Sequence, residues 1–194
     1  MNYLAHIYLS GEDDQLKIGN FIADSVKGRN FIKFPDRIQE GIILHRAIDT
    51  YTDSHPVVKK SVHRLFPFYS HYSAVIVDIL YDHFLAANWD QFSTTPLPHY
   101  VSDFYELLGR NLEELPENIQ KFYPYMVEDN WLLNYATVEG IGKILSQMNH
   151  RTNNKSKMNL AIKELELYYN EFQEEFFMFF EDLENFTFSR TNRF

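Results

Sequence analysis

His45 and Asp49, and again Asp78, Asp82 and His83, are ionisable residues set into stretches that are otherwise apolar. Between Asp36 and Thr52, the residues Ile38, Gly41, Ile42, His45, Ile48, Asp49 and Thr52 recur at helical spacing, so His45 and Asp49 share the face that Ile38 and Ile42 must bury. A His and an Asp one turn apart then point the same way into the protein, either as a hydrogen-bonded pair that only fixes the core or as two ligands. The run from Ala74 to Leu85 is apolar all round apart from Asp78, Asp82 and His83, which implies burial on most sides. Two buried carboxylates on one helical face repel each other unless a proton or a cation lies between them. A divalent ion held by oxygen and imidazole supplies that cation. His83 projects about 100° round from Asp82, so it reaches the same site from its side or supports a ligand.

His6, in the apolar opening segment, and Asp24, in Gly19-Asn20-Phe21-Ile22-Ala23-Asp24, join the candidates through this company. Asp53 is expected to face solvent. The chain has no Cys, which excludes a disulfide framework, a zinc–thiolate site and a cysteine nucleophile, so any metal is held by His and carboxylate. No glycine-rich phosphate loop, nucleophile elbow or zinc-protease helix is present. The best available nucleophile is therefore a metal-activated water acting on a phosphoryl group. Arg46, beside His45, and Arg29 or Lys27, just past Asp24, have the chemistry to hold phosphate oxygens.

Helices must position these groups. The chain of 194 residues has only 7 Gly and 7 Pro, with apolar residues at spacings of three and four between them, and its 13 Tyr and 17 Phe imply a core built largely of rings. Expected helices are Tyr3 to Leu9, Pro35 to about Thr52, Val57 to Leu65, Tyr72 to Asn88, His99 to Asn111, Glu117 to Asn134, Val138 to Asn149 and one long helix from Lys157 to Glu184. Phe66-Pro67-Phe68 is expected to break the third of these, and Arg151 to Ser156 to loop. The last helix carries Leu160, Leu165, Tyr168, Phe172, Phe176, Phe179, Phe180 and Leu183 on one side, expected as core. The expected fold is all-α, a single-domain helical bundle spanning residues 1–194.

The formal net charge of −9 argues against a nucleic-acid partner, but its distribution is uneven. Ser25 to Arg64 holds eight bases against four acids, a local net of +4, whereas His71 to the end holds nine bases against nineteen acids, a net of −10. A cationic segment in an acidic protein can select an acidic partner. The opening Met1-Asn2-Tyr3-Leu4-Ala5-His6 fits neither a signal peptide nor a membrane span, so a cytoplasmic location and no membrane partner are expected.

The segments Met1–His6, Gly19–Asp24, Gly41-Ile42-Ile43-Leu44-His45-Arg46-Ala47-Ile48-Asp49, Asp78-Ile79-Leu80-Tyr81-Asp82-His83-Phe84-Leu85 and Glu128-Asp129-Asn130-Trp131-Leu132-Leu133-Asn134-Tyr135 together resemble the acyl carrier protein phosphodiesterase family. The resemblance implies a manganese-dependent hydrolase, related in fold to HD-type metal phosphohydrolases. Such an enzyme removes 4'-phosphopantetheine from the serine of holo-acyl carrier protein, a step of fatty acid metabolism. The adjacent His-Asp doublet of that wider superfamily is replaced here by His45 and Asp49 a turn apart and by the reversed Asp82-His83.

The expected assignment has His45, Asp49, Asp78, Asp82 and Asp24 holding Mn²⁺, with Mg²⁺ or another divalent ion as alternatives. Asp24, His6, Arg46 and His83 serve catalysis, and Lys27, Arg29, Lys33 and Arg37 receive the small, acidic carrier protein. The alternatives are the same metal chemistry on a nucleotide or other small phosphoester, and a non-catalytic helical module that binds carrier protein.

Overall fold

A computed structural model describes residues 1–191. Eleven α-helices are present among these residues, joined by short 3-10 turns and without strands: α1 (Tyr3–Tyr8), α2 (Asp14–Ile22), α3 (Asp36–Ser54), α4 (Pro56–Tyr69), α5 (Ser73–Ala87), α6 (Leu97–Arg110), α7 (Glu117–Glu128), α8 (Trp131–Asn134), α9 (Val138–Arg151), α10 (Ile162–Leu167) and α11 (Tyr169–Thr191). The all-α expectation therefore holds, and the buried apolar side chains form one cluster. None of these helices is long and apolar enough to cross a membrane.

At the centre lies α5. Its Ile76, Val77, Ile79, Leu80, Tyr81, Phe84 and Leu85 are fully buried, because α1, α4, α9 and α11 pack around it. The aromatic face of α11 supplies Phe172, Phe176, Phe179, Phe180 and Leu183 to this core, with Phe176 and Phe180 stacked at 4.9 Å and Tyr81 edge-on to Phe176 at 5.7 Å. Glu175, on the same helix, is buried too. It receives both Arg64 guanidinium nitrogens at 2.6 Å and the Ser61 hydroxyl at 2.5 Å, which ties α11 to α4.

Helices α2 and α3 meet backbone to backbone. A Cβ on Gly19 would lie 2.1 Å from the Ile38 carbonyl oxygen, and one on Gly41 would lie 2.4 Å from that of Leu16, so only glycine permits this crossing. Asp13 opens α2 by accepting the Leu16 amide at 2.8 Å, and His55 with Pro56 separates α3 from α4.

Three boundaries depart from expectation. Helix α4 runs through Pro67 to Tyr69 and stops at Ser70, where φ is 51°. Pro67 lies in the last turn with its ring in solvent, so it removes a single hydrogen bond while Leu65 and Tyr69 on either side remain buried. The stretch from Glu117 divides into α7 and α8 at Asn130, which adopts the left-handed conformation. The last long helix is two, divided at the non-helical Tyr168; Leu160 precedes both and is exposed.

Candidate metal centre

His6 and His45 come together from opposite ends of this frame. Their rings stack, with centroids 3.9 Å apart, and both residues are buried. Asp49 reaches both: its Oδ1 lies 3.2 Å from His6 Nε2 and its Oδ2 lies 3.1 Å from His45 Nε2. Asp24, at the end of α2 where the chain turns out, places Oδ1 3.2 Å from the same His45 nitrogen. One ligand atom each from His6, His45 and Asp49 fits within 4.8 Å of the others. These residues line a pocket of about 200 Å³, with Met1, Asn2, Tyr3, Asp53 and Asp78 on its other walls.

Asn20 orients the His45 imidazole and anchors the backbone that carries His6. It is fully buried in α2, and its backbone carbonyl accepts from His45 Nδ1 at 2.9 Å. A carbonyl only accepts, so Nδ1 carries the hydrogen and Nε2 is left facing Asp24 and Asp49. The Asn20 side-chain amide donates to the His6 carbonyl at 2.8 Å and to Ser10 Oγ at 2.9 Å, which fastens α1 to α2.

A neutral His45 would turn a lone pair toward two carboxylates, so the arrangement demands a positive charge. Burial opposes a charge on His45, but the hydrogen bonds to Asp24 and Asp49 outweigh it and push its pKa up to about 9. Burial and the neighbouring His45 drive His6 the other way, to about 4. Against its own burial, Asp49 is held far below the carboxylate range by His45 and His6, and Asp24 is lowered by His45. Both ring nitrogens of His6 are buried without a hydrogen-bond partner. A neutral imidazole whose Nε2 lies 3.2 Å from Asp49 without a well-formed hydrogen bond, a second imidazole whose far nitrogen is fixed by a carbonyl, and an ionised carboxylate between them form a donor set suited to a divalent cation.

Of the other expected ligands, Asp78 reaches the pocket wall and Asp82 does not. Asp82 is completely buried and spends its carboxylate on the start of α1, accepting the amides of Asn2 at 3.0 Å, Leu4 at 2.8 Å and Ala5 at 3.4 Å. Asp78 lies on the pocket wall and pairs with the α-ammonium of Met1 at 2.8 Å. The pair on α5 thus faces the Met1 nitrogen and the backbone amides at the start of α1. Burial raises Asp82 to about 7 against these donors.

His83 turns away from the pocket, its Nδ1 at 2.7 Å from the Tyr135 carbonyl and its Nε2 at 3.1 Å from the Tyr169 hydroxyl. Arg46, one residue on from His45 and so about 100° round the helix, does not enter the pocket either. It donates to the carbonyls of Val26 at 3.0 Å and Gly28 at 2.9 Å and lies 5.2 Å over the Phe31 ring.

Lys27, Arg29 and Lys33 are exposed on the loop that follows Asp24. Arg37 is half-buried and engaged with Asp13 at 2.9 Å and with Glu40. Asp53 is exposed as expected, yet it lines the rim. Met1, Asn2, Tyr3 and Asn20 escaped the reading of the sequence. Only Asn20 left a trace there, as an amide inside an apolar helix.

A family model described as acyl carrier protein phosphodiesterase matches residues 1–183. Proteins of that name from Photorhabdus laumondii and Pectobacterium atrosepticum are 31% and 32% identical to this chain over 93% of its length, covering 91% and 94% of their own. A third, from Yersinia pestis, is 30% identical over 93% of the chain and 94% of its own length. No solved structure matches it.

Proposed function

The chain belongs to the acyl carrier protein phosphodiesterase family, and from that premise we propose that it hydrolyses the phosphodiester between 4'-phosphopantetheine and the serine of holo-acyl carrier protein at the His6–His45–Asp49 pocket. The observation that carries this reading is the buried His6 ring stacked on His45, with Asp49 within 3.2 Å of both rings. His6, His45 and Asp49 would hold the cation. A mixed imidazole and carboxylate set suits Mn²⁺ better than Mg²⁺, which favours oxygen alone. When bound, the ion supplies charge neutralisation at the phosphoryl group and a more acidic water.

The remaining steps fall to the chain. Asp24 is ionised and its side chain is largely exposed at the pocket mouth, so its free carboxylate oxygen can take the proton of the attacking water. Water oxygen bonds to phosphorus, the bond from phosphorus to serine Oγ breaks, and the serine oxygen recovers a proton from solvent. Asn20 keeps Nδ1 of His45 as a donor, so Nε2 stays directed at the reacting space. Lys27, Arg29 and Lys33 form the cationic approach for an acidic carrier protein. In this reading Asp78, Asp82 and His83 support α1 and the core, and Arg46 supports the loop. Kinship with the HD-type phosphohydrolases belongs to the same reading, supported by a metal-ligating His and Asp on helices.

The test is to strip metal from the purified protein, titrate Mn²⁺, and follow holo- to apo-carrier conversion by mass. Wild type should convert only with metal, and Asp24→Ala and His45→Ala should lose at least roughly a hundredfold. Metal binding without conversion of any carrier protein would overturn the substrate, and conversion by His45→Ala at the wild-type rate would overturn the site.

A further inference from the structure

The loop after Asp24 is built as a platform. Gln39, Ile43 and Arg46 lie on one face of α3, at i, i+4 and i+7. Gln39 donates to the Phe34 carbonyl at 2.8 Å and Arg46 to those of Val26 and Gly28, so this face holds residues 26–34 by the backbone at both ends. Held this way, the loop and the helix face beneath it turn two isoleucines outward. Ile32 is 60% exposed, and Ile43, between the two anchors, is 45% exposed.

The rim is charged. Lys27, Arg29 and Lys33 are exposed, and among the described residues none has a carboxylate within ion-pair distance, although the chain carries a formal net charge of −9. Arg37, by contrast, is neutralised by Asp13 and Glu40 and is not part of this rim.

We infer that Ile32 and Ile43 form the apolar centre of the surface on which the carrier protein docks, ringed by Lys27, Arg29 and Lys33. This rests on the carrier-protein reading given above. Two exposed isoleucines among unpaired cations match a partner that presents an apolar side chain amid carboxylates. An apolar centre inside a polar rim is how a specific interface divides affinity from steering. The location agrees: the loop begins two residues beyond Asp24, so a protein seated on it holds its attached phosphodiester next to the pocket. The three cations set how fast the complex forms, and the isoleucines set how long it lasts.

The experiment uses apo-carrier protein, the product, so that no turnover intervenes. Its Kd for the metal-loaded protein is read by fluorescence anisotropy for wild type, Ile32→Glu, Ile43→Glu and a distant exposed control, Leu167→Glu, with melting curves on each. Ile32→Glu and Ile43→Glu should weaken binding at least roughly tenfold, with KM for holo-carrier rising alongside, while Leu167→Glu stays within about twofold. Ile32 lies on an exposed loop, so its variant remains informative if Ile43→Glu does not fold.

Unchanged Kd in a folded Ile32→Glu overturns the inference, as does a concentration-dependent dimer that Ile32→Glu abolishes without altering Kd, since the surface would then serve a second copy of this chain. Wild type that neither binds nor converts any carrier protein overturns the underlying function instead, which keeps the two failures apart.

Discussion

At pH 7 the metal-free protein holds a proton on His45, because Nδ1 is committed to the Asn20 carbonyl while Nε2 faces Asp24 and Asp49. A cation entering the pocket must displace that proton. With a pKa of about 9, His45 is almost fully protonated at pH 7, whereas His6, at about 4, is neutral and both carboxylates are already ionised. Binding one divalent ion should therefore release about one proton per chain, against about a quarter of a proton from an imidazole of ordinary pKa.

The same displacement makes apparent affinity climb roughly tenfold per pH unit between about 6.5 and 8.5. The folding side of the linkage has the matching sign. A raised pKa stabilises the metal-free fold fully below the unfolded value near 6.5, and that contribution is lost as pH rises through 9. The shift is worth about 3 kcal/mol, reduced toward about 2 kcal/mol because Asp24 is largely solvated. Isothermal titration of Mn²⁺ at pH 7 in two buffers of different ionisation enthalpy counts the protons, and urea unfolding of the chelated protein from pH 6 to 9 reads the stability. Release of fewer than about half a proton would refute this account of His45.

Two other outcomes follow from the frame around the site. Gly41→Ala puts a methyl 2.4 Å from the Leu16 carbonyl oxygen, which must push α2 and α3 apart. It should cost about 3 kcal/mol in urea unfolding and weaken Mn²⁺ binding without touching a ligand. Asp82→Ala leaves the amides of Asn2, Leu4 and Ala5 without their acceptor and should cost about 2 to 3 kcal/mol by thermal denaturation. At a temperature where the variant is folded, its Mn²⁺ affinity should fall far less than that of Asp49→Ala.

Helical spacing placed His45 and Asp49 on one inward face, and the structure has them there, because that inference needs only the period of α3. The anomaly of Asp78 and Asp82 on α5 was equally legible, but the identity of the compensating charge was not. Any local reading sees two acids and asks for a cation. It cannot see that the backbone amides of residues about 80 positions away arrive to meet them. The same limit misplaced Arg46 and His83, whose partners are carbonyls with no sequence signature. Helix boundaries failed where single residues decide them. Pro67 was overruled by the burial of Leu65 and Tyr69, Asn130 ends a helix by taking the left-handed conformation, and Tyr168 interrupts one with a residue that commonly continues it.

The way α1 is held also bears on how the protein acquires its site. A helix of 6 residues has no stability of its own in water, and α1 borrows its start from Asp82 and its hold on α2 from Asn20. His6 therefore cannot take its position when the first segment of chain collapses. It must wait until α5 has formed and closed a loop of roughly 80 residues, one of the costlier closures in the molecule. His45, Asp49 and Asp24 all reside on the α2–α3 unit and can be in register early. Of the four side chains around the pocket, His6 should thus be the last to reach its place on refolding.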